Sequence, residues 1–460
     1  MAIRKLFVAN RGEIAVRIIR AAQAQGIRTV QAASEADTDM LACRMADEVV
    51  VIGPAPAAKS YLNIDAVIRA IKESGADAVH PGYGFLSENP RFVSAVEEAG
   101  IAFVGPDADT IAKMGDKAMA RSAAIAAGVP VVPGSEGRIG DLDDARRQAA
   151  RIGYPVMVKA SAGGGGRGIR IVEDEAALEK MVPQAMSEAR AAFGDDGLYM
   201  ERYIERARHI EVQVLGDGHD VVHLFERECS LQRKRQKVWE EAPAAMLPEA
   251  VREALCASAV ALARRVNYRN AGTLEYLYDG DTQEFFFIEM NTRIQVEHPV
   301  TEAITGVDLV QAQLMIAGGE RLWFGQNDLE RRGHAIEVRI NAENPDKMFM
   351  PSPGQVTAFA APQGVNARFD TLLFEGCRVA PFYDSLVGKL IVWAPDRDAA
   401  IAALQAALGD LKVEGIHTTA SLHQALAADA EVRRGDFHTA WLEGWMAEGR
   451  MQAAGGQAKA

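Results

Sequence analysis

The chain has 460 residues, enough for two or three packed units rather than a single core. Its formal net charge of -13 repels polyanions and argues against a nucleic-acid partner. No apolar run of about 18 residues occurs, so neither a membrane span nor a signal peptide is expected. The four cysteines, Cys43, Cys229, Cys256 and Cys377, lie far apart without CxxC spacing. That excludes a zinc ribbon and a disulfide framework and fits a reduced, cytoplasmic interior.

Over the first ~105 residues, apolar strands alternate with amphipathic helices. Strands are predicted at 6–9, 29–33, 78–81 and 101–104, and helices at 13–25 and 92–99. This alternation predicts βαβ units and a parallel sheet with covered faces. Such sheets bind ligands at the carboxyl ends of their strands, where Asn10-Arg11-Gly12-Glu13 and His80-Pro81-Gly82-Tyr83-Gly84 fall. A second unit opens at Pro133-Gly134, with strands at 155–160 and 169–172 on either side of a glycine cluster. It reads as a small α/β lid. From 204 onward, strands at 209–215 and 221–226, a helix at 248–266 and a hairpin over 273–291 predict an α+β unit. The Ala/Gly/Gln tail after Arg450 is expected to fray.

The glycine cluster runs from Gly163 to Gly168 and formally contains GxGxxG. A dinucleotide fingerprint must open a helix, whereas Ile169-Arg170-Ile171-Val172 continues as a strand, so that reading fails its context. The GxxxxGK[ST] pattern is also absent. What remains is a glycine-rich hairpin whose bare amides can approach phosphate oxygens. Lys159, Arg167 and Arg170 beside it favour a phosphate lid over a plain surface turn.

Glu275 and Glu289 sit in two apolar strands joined by a turn at 279–283. Carboxylates in such runs need a cation or donors, and magnesium bridging ATP phosphates would supply the first. Ordinary salt bridges to arginines are the alternative, and the hairpin register that decides whether the two share a face is open. Directly after comes Asn291-Thr292-Arg293-Ile294-Gln295-Val296-Glu297-His298-Pro299, a dense polar run at a strand end, where function concentrates. Lys237 and Arg339 could serve anions or solvated faces.

Together these residues resemble the biotin carboxylase family of the ATP-grasp superfamily, from about Lys5 to Glu443. The carrying segments are Ala9 to Ala15, His80 to Asn89, Met114 to Lys117, Lys159 with its glycine loop, Glu289 to Glu302 and Pro351 to Gly354. The resemblance implies an α/β and α+β chain with the ATP-grasp fold. An N-terminal Rossmann-like unit would span 1–116 and a mobile glycine-rich lid 133–203. The core and C-terminal α+β unit would take 117–132 and 204–446, and 447–460 would be a disordered tail.

The resemblance also implies roles. Lys117 and Lys159 would contact nucleotide phosphates, covered by Gly164, Gly165 and Gly166. Glu201, Arg202, Tyr203, Ile204, His209, Gln232, Arg235 and Leu277 would complete the ATP site. Glu275, Glu289 and Asn291 would hold Mg2+ (or Mn2+). Lys237, Arg293, Gln295 and the backbone of Val296 would bind bicarbonate, Glu297 would be the base, Arg339 would stabilise the biotin enolate, and Tyr83 would lie near the biotin ring. The implied partners are a separate biotin carboxyl carrier protein, carboxyltransferase subunits serving acetyl-CoA or another acceptor, and a second copy of the chain.

Some positions depart from the family pattern: Arg235 for His, Arg202 for Lys, Ile169 for Met and Trp239 for a small aliphatic, all expected around the nucleotide or a nearby wall. Ala24 and Val365 depart at the expected dimer contact, where Arg20 matches. Another ATP-grasp ligase that makes an acyl phosphate, and a silent carrier- or nucleotide-binding module, are the competing readings.

Overall fold

The computed structural model describes residues 2–160, 170–193, 196–364 and 366–451. Five parallel strands come first: β1 (Lys5–Val8), β2 (Arg28–Ser34), β3 (Glu48–Gly53), β4 (Ala78–His80) and β5 (Ala102–Phe103), in the order β3-β2-β1-β4-β5. Between β1 and β2 lies α1 (Gly12–Ala24). The edge strand β3 escapes the sequence pattern because Val49 and Val51 are exposed there. Helix Ile64–Ser74, also unassigned from sequence, is bounded by an Asn63 cap and a left-handed Gly75.

The glycine cluster lies outside the described residues, but the unit around it is clear. It holds β6 (Val156–Ala160), β7 (Arg170–Val172) and β8 (Leu198–Arg202), an antiparallel sheet in the order β7-β6-β8. Two helices, α2 (Leu142–Ile152) and α3 (Glu175–Phe193), pack on it. Val156, Val158, Leu178, Val182 and Met200 form a core of its own.

The remainder is built on eight antiparallel strands: β9 (Ala207–Asp217), β10 (Val221–Arg233), β11 (Gln236–Ala242), β12 (Arg269–Asp279), β13 (Glu284–Asn291), β14 (His334–Asn341), β15 (Ala367–Thr371) and β16 (Leu386–Ala394). Their order is β13-β12-β9-β10-β11-β14-β16-β15. The β10–β11 connection turns through Lys234 and Arg235, both at positive φ, as a two-residue hairpin of the primed type requires. Two helices, α4 (Glu249–Arg265) and α5 (His298–Thr305), pack on this sheet.

Helix α1 joins the units. Nearly every one of its residues is buried, because Ile14, Ile18 and Ile19 share a core with Leu6 and Val8 on one side and Leu215, Ile294, Leu309 and Leu314 on the other. Arg17 adds a buried bridge to Glu302 (2.9 Å) and Asp308 (2.6 Å). The late segment also returns to the first sheet. Tyr383 Oη lies 2.6 Å from Ser34 Oγ and donates to Ala55 O, while Arg11, paired with Asp37, lies over its ring.

Candidate active site

Between the carboxyl ends of β1 and β4 and one face of the large sheet lies a cavity of about 900 Å³. Its floor follows from strand register. Alternate residues of a strand share a face, so His209, Glu211 and Gln213 of β9 project together. Glu211 is opposite Glu275 of β12 on one side and Arg227 of β10 on the other. Glu275 is in turn opposite Glu289 of β13. The register left open by the sequence therefore resolves into a cross-sheet row, Glu289-Glu275-Glu211-Arg227. Asn291 extends a second row through Thr273 to Gln213.

Buried carboxylates in a row demand compensation, and the surroundings supply it. Arg227 donates to Glu211, Gln213, Gln295, Thr273 and Thr301. Lys237 Nζ donates to Glu211 (2.5 Å), Glu275 (3.0 Å) and Glu297 (2.7 Å). Burial opposes the Lys237 charge, yet these carboxylates hold the ammonium well above its ordinary range. Glu211 and Glu275 are conversely held well below theirs: burial pushes them up, but Lys237 outweighs it, with help from Arg227 and His209 respectively. His209 Nε2 lies 3.3 Å from Glu275 and 3.5 Å from Glu211. Burial disfavours its charged form, but Glu275 lifts it to about 9. Glu289 differs, because burial and the facing Glu275 push it up, opposed by Lys117.

Glu297 closes the far wall at the start of α5. Its Oε1 accepts from Lys237, and its Oε2 accepts from Arg339 Nη2 at 3.0 Å. Burial pushes its acid up, but Lys237 and Arg339 outweigh this and keep it below the ordinary carboxylate range. Arg339 also donates to Glu240 (2.6 Å), whose acid is pushed up to about 7 by burial against the pull of Arg339. Arg293 donates to Glu88 and Asn291, while Gln295 and Asn291 both donate to Glu275.

Of the residues proposed from sequence, Tyr83, His209, Gln232, Arg235, Lys237, Glu275, Glu289, Asn291, Arg293, Gln295, Val296, Glu297 and Arg339 all line the cavity. Others stand at the lid and hinge. Lys159 pairs with Glu201, the Tyr203 amide donates to Pro155 O, and Ile204 and Leu277 pack with Val132 and Phe286. Arg202 is drawn to the sheet edge by Glu284 and Asp279. Lys117 begins a helix capped by Asp116 and is exposed. Gly164, Gly165, Gly166 and Ile169 lie outside the described residues, as does Val365. Trp239 corrects an expectation: it faces away from the cavity, into the core with Leu231, Ile336, Val338 and Leu404, because the β10–β11 pairing slips by one residue between Lys237 and Trp239, so the side that carries Lys237 into the cavity is not the side that carries Trp239.

Sequence reasoning missed Glu211 and Arg227. The signal available was the period-two run His209-Ile-Glu211-Val-Gln213, polar at every second residue of an otherwise apolar stretch.

A lid sheet with a basic strand, set against a large sheet that carries a carboxylate row and cations, defines a nucleotide-using ligase of the ATP-grasp class. Residues 2–111 match the family model for the biotin carboxylase N-terminal domain, 116–324 that for the carbamoyl-phosphate synthase L chain ATP-binding domain, and 337–444 that for the biotin carboxylase C-terminal domain. The chain is 50% identical over 443 residues to the biotin carboxylase of Haemophilus influenzae, covering 96% of this chain and 98% of that one. It superposes with a TM-score of 0.92 on the bicarbonate-bound biotin carboxylase domain of a thermophilic 2-oxoglutarate carboxylase, at 44% identity and covering 97% and 98% of the two chains. The corresponding domain dimer from Hydrogenobacter thermophilus, in complex with MgADP, ADP and bicarbonate, gives 0.86 at 46% identity, with 97% and 98% covered. The chain belongs to the biotin carboxylase family, and its reaction is the ATP- and bicarbonate-dependent carboxylation of biotin.

Proposed function

We propose that the cavity carries out this reaction with the following division of labour. Lys237, Arg293, Gln295 and the Val296 amide hold bicarbonate. Glu297 takes its proton as a bicarbonate oxygen attacks the γ-phosphorus of ATP, giving carboxyphosphate and ADP. Carboxyphosphate then breaks to carbon dioxide and phosphate. The phosphate removes the N1 proton of biotin, Arg339 steadies the enolate oxygen, and N1 adds to carbon dioxide. Tyr83 borders the biotin ring. Lys117, Lys159 and Gly164 to Gly166 hold the phosphates, while Glu201, Arg202, Tyr203, Ile204, His209, Gln232, Arg235 and Leu277 serve the nucleoside.

Glu275, Glu289 and Asn291 form an oxygen-rich set suited to Mg2+ or Mn2+. The upward push that Glu275 exerts on Glu289 is the repulsion a divalent cation beside them removes. When bound, the metal supplies charge neutralisation for the transferring phosphoryl group.

The observation that carries this reading is Glu297, buried in the cavity wall and kept ionised between Lys237 and Arg339. The partners would be a separate biotinylated carrier, a carboxyltransferase for acetyl-CoA or another acceptor, and a second copy of the chain, in a cytoplasmic setting. A domain dimer is the state of the Hydrogenobacter relative. The test is ADP release by the purified chain with MgATP, bicarbonate and free biotin. Turnover should require bicarbonate and rise with biotin; equal turnover without bicarbonate would overturn the assignment.

A further inference from the structure

On β16, Lys389 is a buried cation that the mechanism above does not use. It lies opposite Arg339 in the β14–β16 register, on the cavity side of the sheet, with no exposed surface. Its ammonium donates to the Val296 carbonyl at 2.6 Å and sits 3.3 Å from Glu13 Oε1 at the start of α1. Glu13 in turn accepts from the Tyr83 hydroxyl. One residue earlier, the Gln295 carbonyl is held by His298, whose ring Nδ1 lies 2.7 Å from it.

These two contacts govern where the loop amides face. In a trans peptide the N–H points opposite to the C=O. Holding the Gln295 and Val296 carbonyls back against buried side chains therefore turns the Val296 and Glu297 N–H groups the other way. Both residues line the cavity, and among the described residues neither N–H is donated to a protein acceptor. Successive amides facing one way form an anion-binding concavity.

We infer that Lys389 is a positioning residue for bicarbonate: by clamping the Val296 carbonyl it aims the loop amides and sets Glu297 beside the anion. The inference rests on the assignment of residues 293–297 to bicarbonate. Through Glu13 and Tyr83 the same ammonium also ties the bicarbonate loop to the strand end beside the proposed biotin site.

Replacing Lys389 alone would strand Glu13 as an uncompensated buried charge, so the informative variant is the double substitution Lys389→Met with Glu13→Gln, which removes the pair while keeping its bulk. MgATP cleavage by the full chain is measured across bicarbonate and ATP concentrations, with Arg293→Ala in parallel. The expected result is a bicarbonate KM raised on the order of tenfold or more, with the ATP KM within about twofold of the parent. A role in fold stability alone would move Tm and leave the KM values together. If Arg293→Ala raises the bicarbonate KM and the double variant does not, the positioning role is overturned. If neither variant does, the loop is not the bicarbonate site, and the inference falls with that assignment. A double variant too unstable to purify, with Lys389→Met also unfolded, would make Lys389 a structural residue and overturn it too.

Discussion

Glu297 has two cations within hydrogen-bond reach and almost no exposed surface, so its charge is fixed by its neighbours rather than by solvent. Glu297→Gln keeps the shape and removes the base. The variant should bind MgATP normally and lose bicarbonate-dependent ATP cleavage by roughly 10²-fold or more. A drop of only a few-fold with a lowered Tm would move the base elsewhere. Glu289 makes the complementary case, since its carboxyl is pushed up by burial and by Glu275. Glu289→Gln relieves that repulsion but removes a ligand, so the magnesium needed for half-maximal ATP cleavage should rise about tenfold or more while the melting temperature holds. A magnesium titration of steady-state rates decides it. Residue types were readable in the sequence here, because carboxylates inside apolar runs announce themselves. Their partners were not: nothing along the chain pairs Glu297 with Arg339 on β14, and setting Arg227 opposite Glu211 depends on the β9–β10 register, which the sequence leaves open.

Strand alternation gives the large sheet two chemically different faces, and Glu241 shows the one away from the cavity. It is fully buried and accepts from Arg397 twice and from His334. Burial pushes its acid up, but Arg397 outweighs this and brings it from 4.5 down to about 2. A carboxyl depressed on folding contributes stability that is present above its unfolded value and lost as pH falls through the folded one. Glu241→Gln should therefore cost roughly 3 kcal/mol near neutral pH, with the gap from the parent closing as pH falls from about 5 toward 2. Urea unfolding at stepped pH measures it, and a constant gap would contradict the ion-pair account. Element types were largely legible, because period-two and helical patterns are local. The ends were less so: β10 runs on to Arg233, well past its predicted end, since its later polar residues face partners on neighbouring strands. Register needed the whole sheet.

At the scale of the molecule, the cavity exists only where the first sheet meets the large one, and α1 holds them together. Arg17 is the polar core of that contact. Arg17→Met should destabilise the chain by about 3 kcal/mol, the lower end of the range for breaking a buried pair, because Arg368 still reaches Glu302. Urea unfolding should show a lower midpoint with an unchanged slope. Helix α1 was legible from its own pattern; its docking between the two sheets was not, because that depends on partners such as Leu215, Ile294 and Glu302 far along the chain. The return of Tyr383 to Ser34, 349 residues away along the chain, has a consequence for biosynthesis. At ordinary ribosomal rates roughly 20–70 s separate the emergence of the two groups. For that interval the nascent first sheet must do without Tyr383 at Ser34 and Ala55 and without Lys389 at Glu13, so the growing chain passes through a stage in which its earliest unit waits, unfinished, for its last strands.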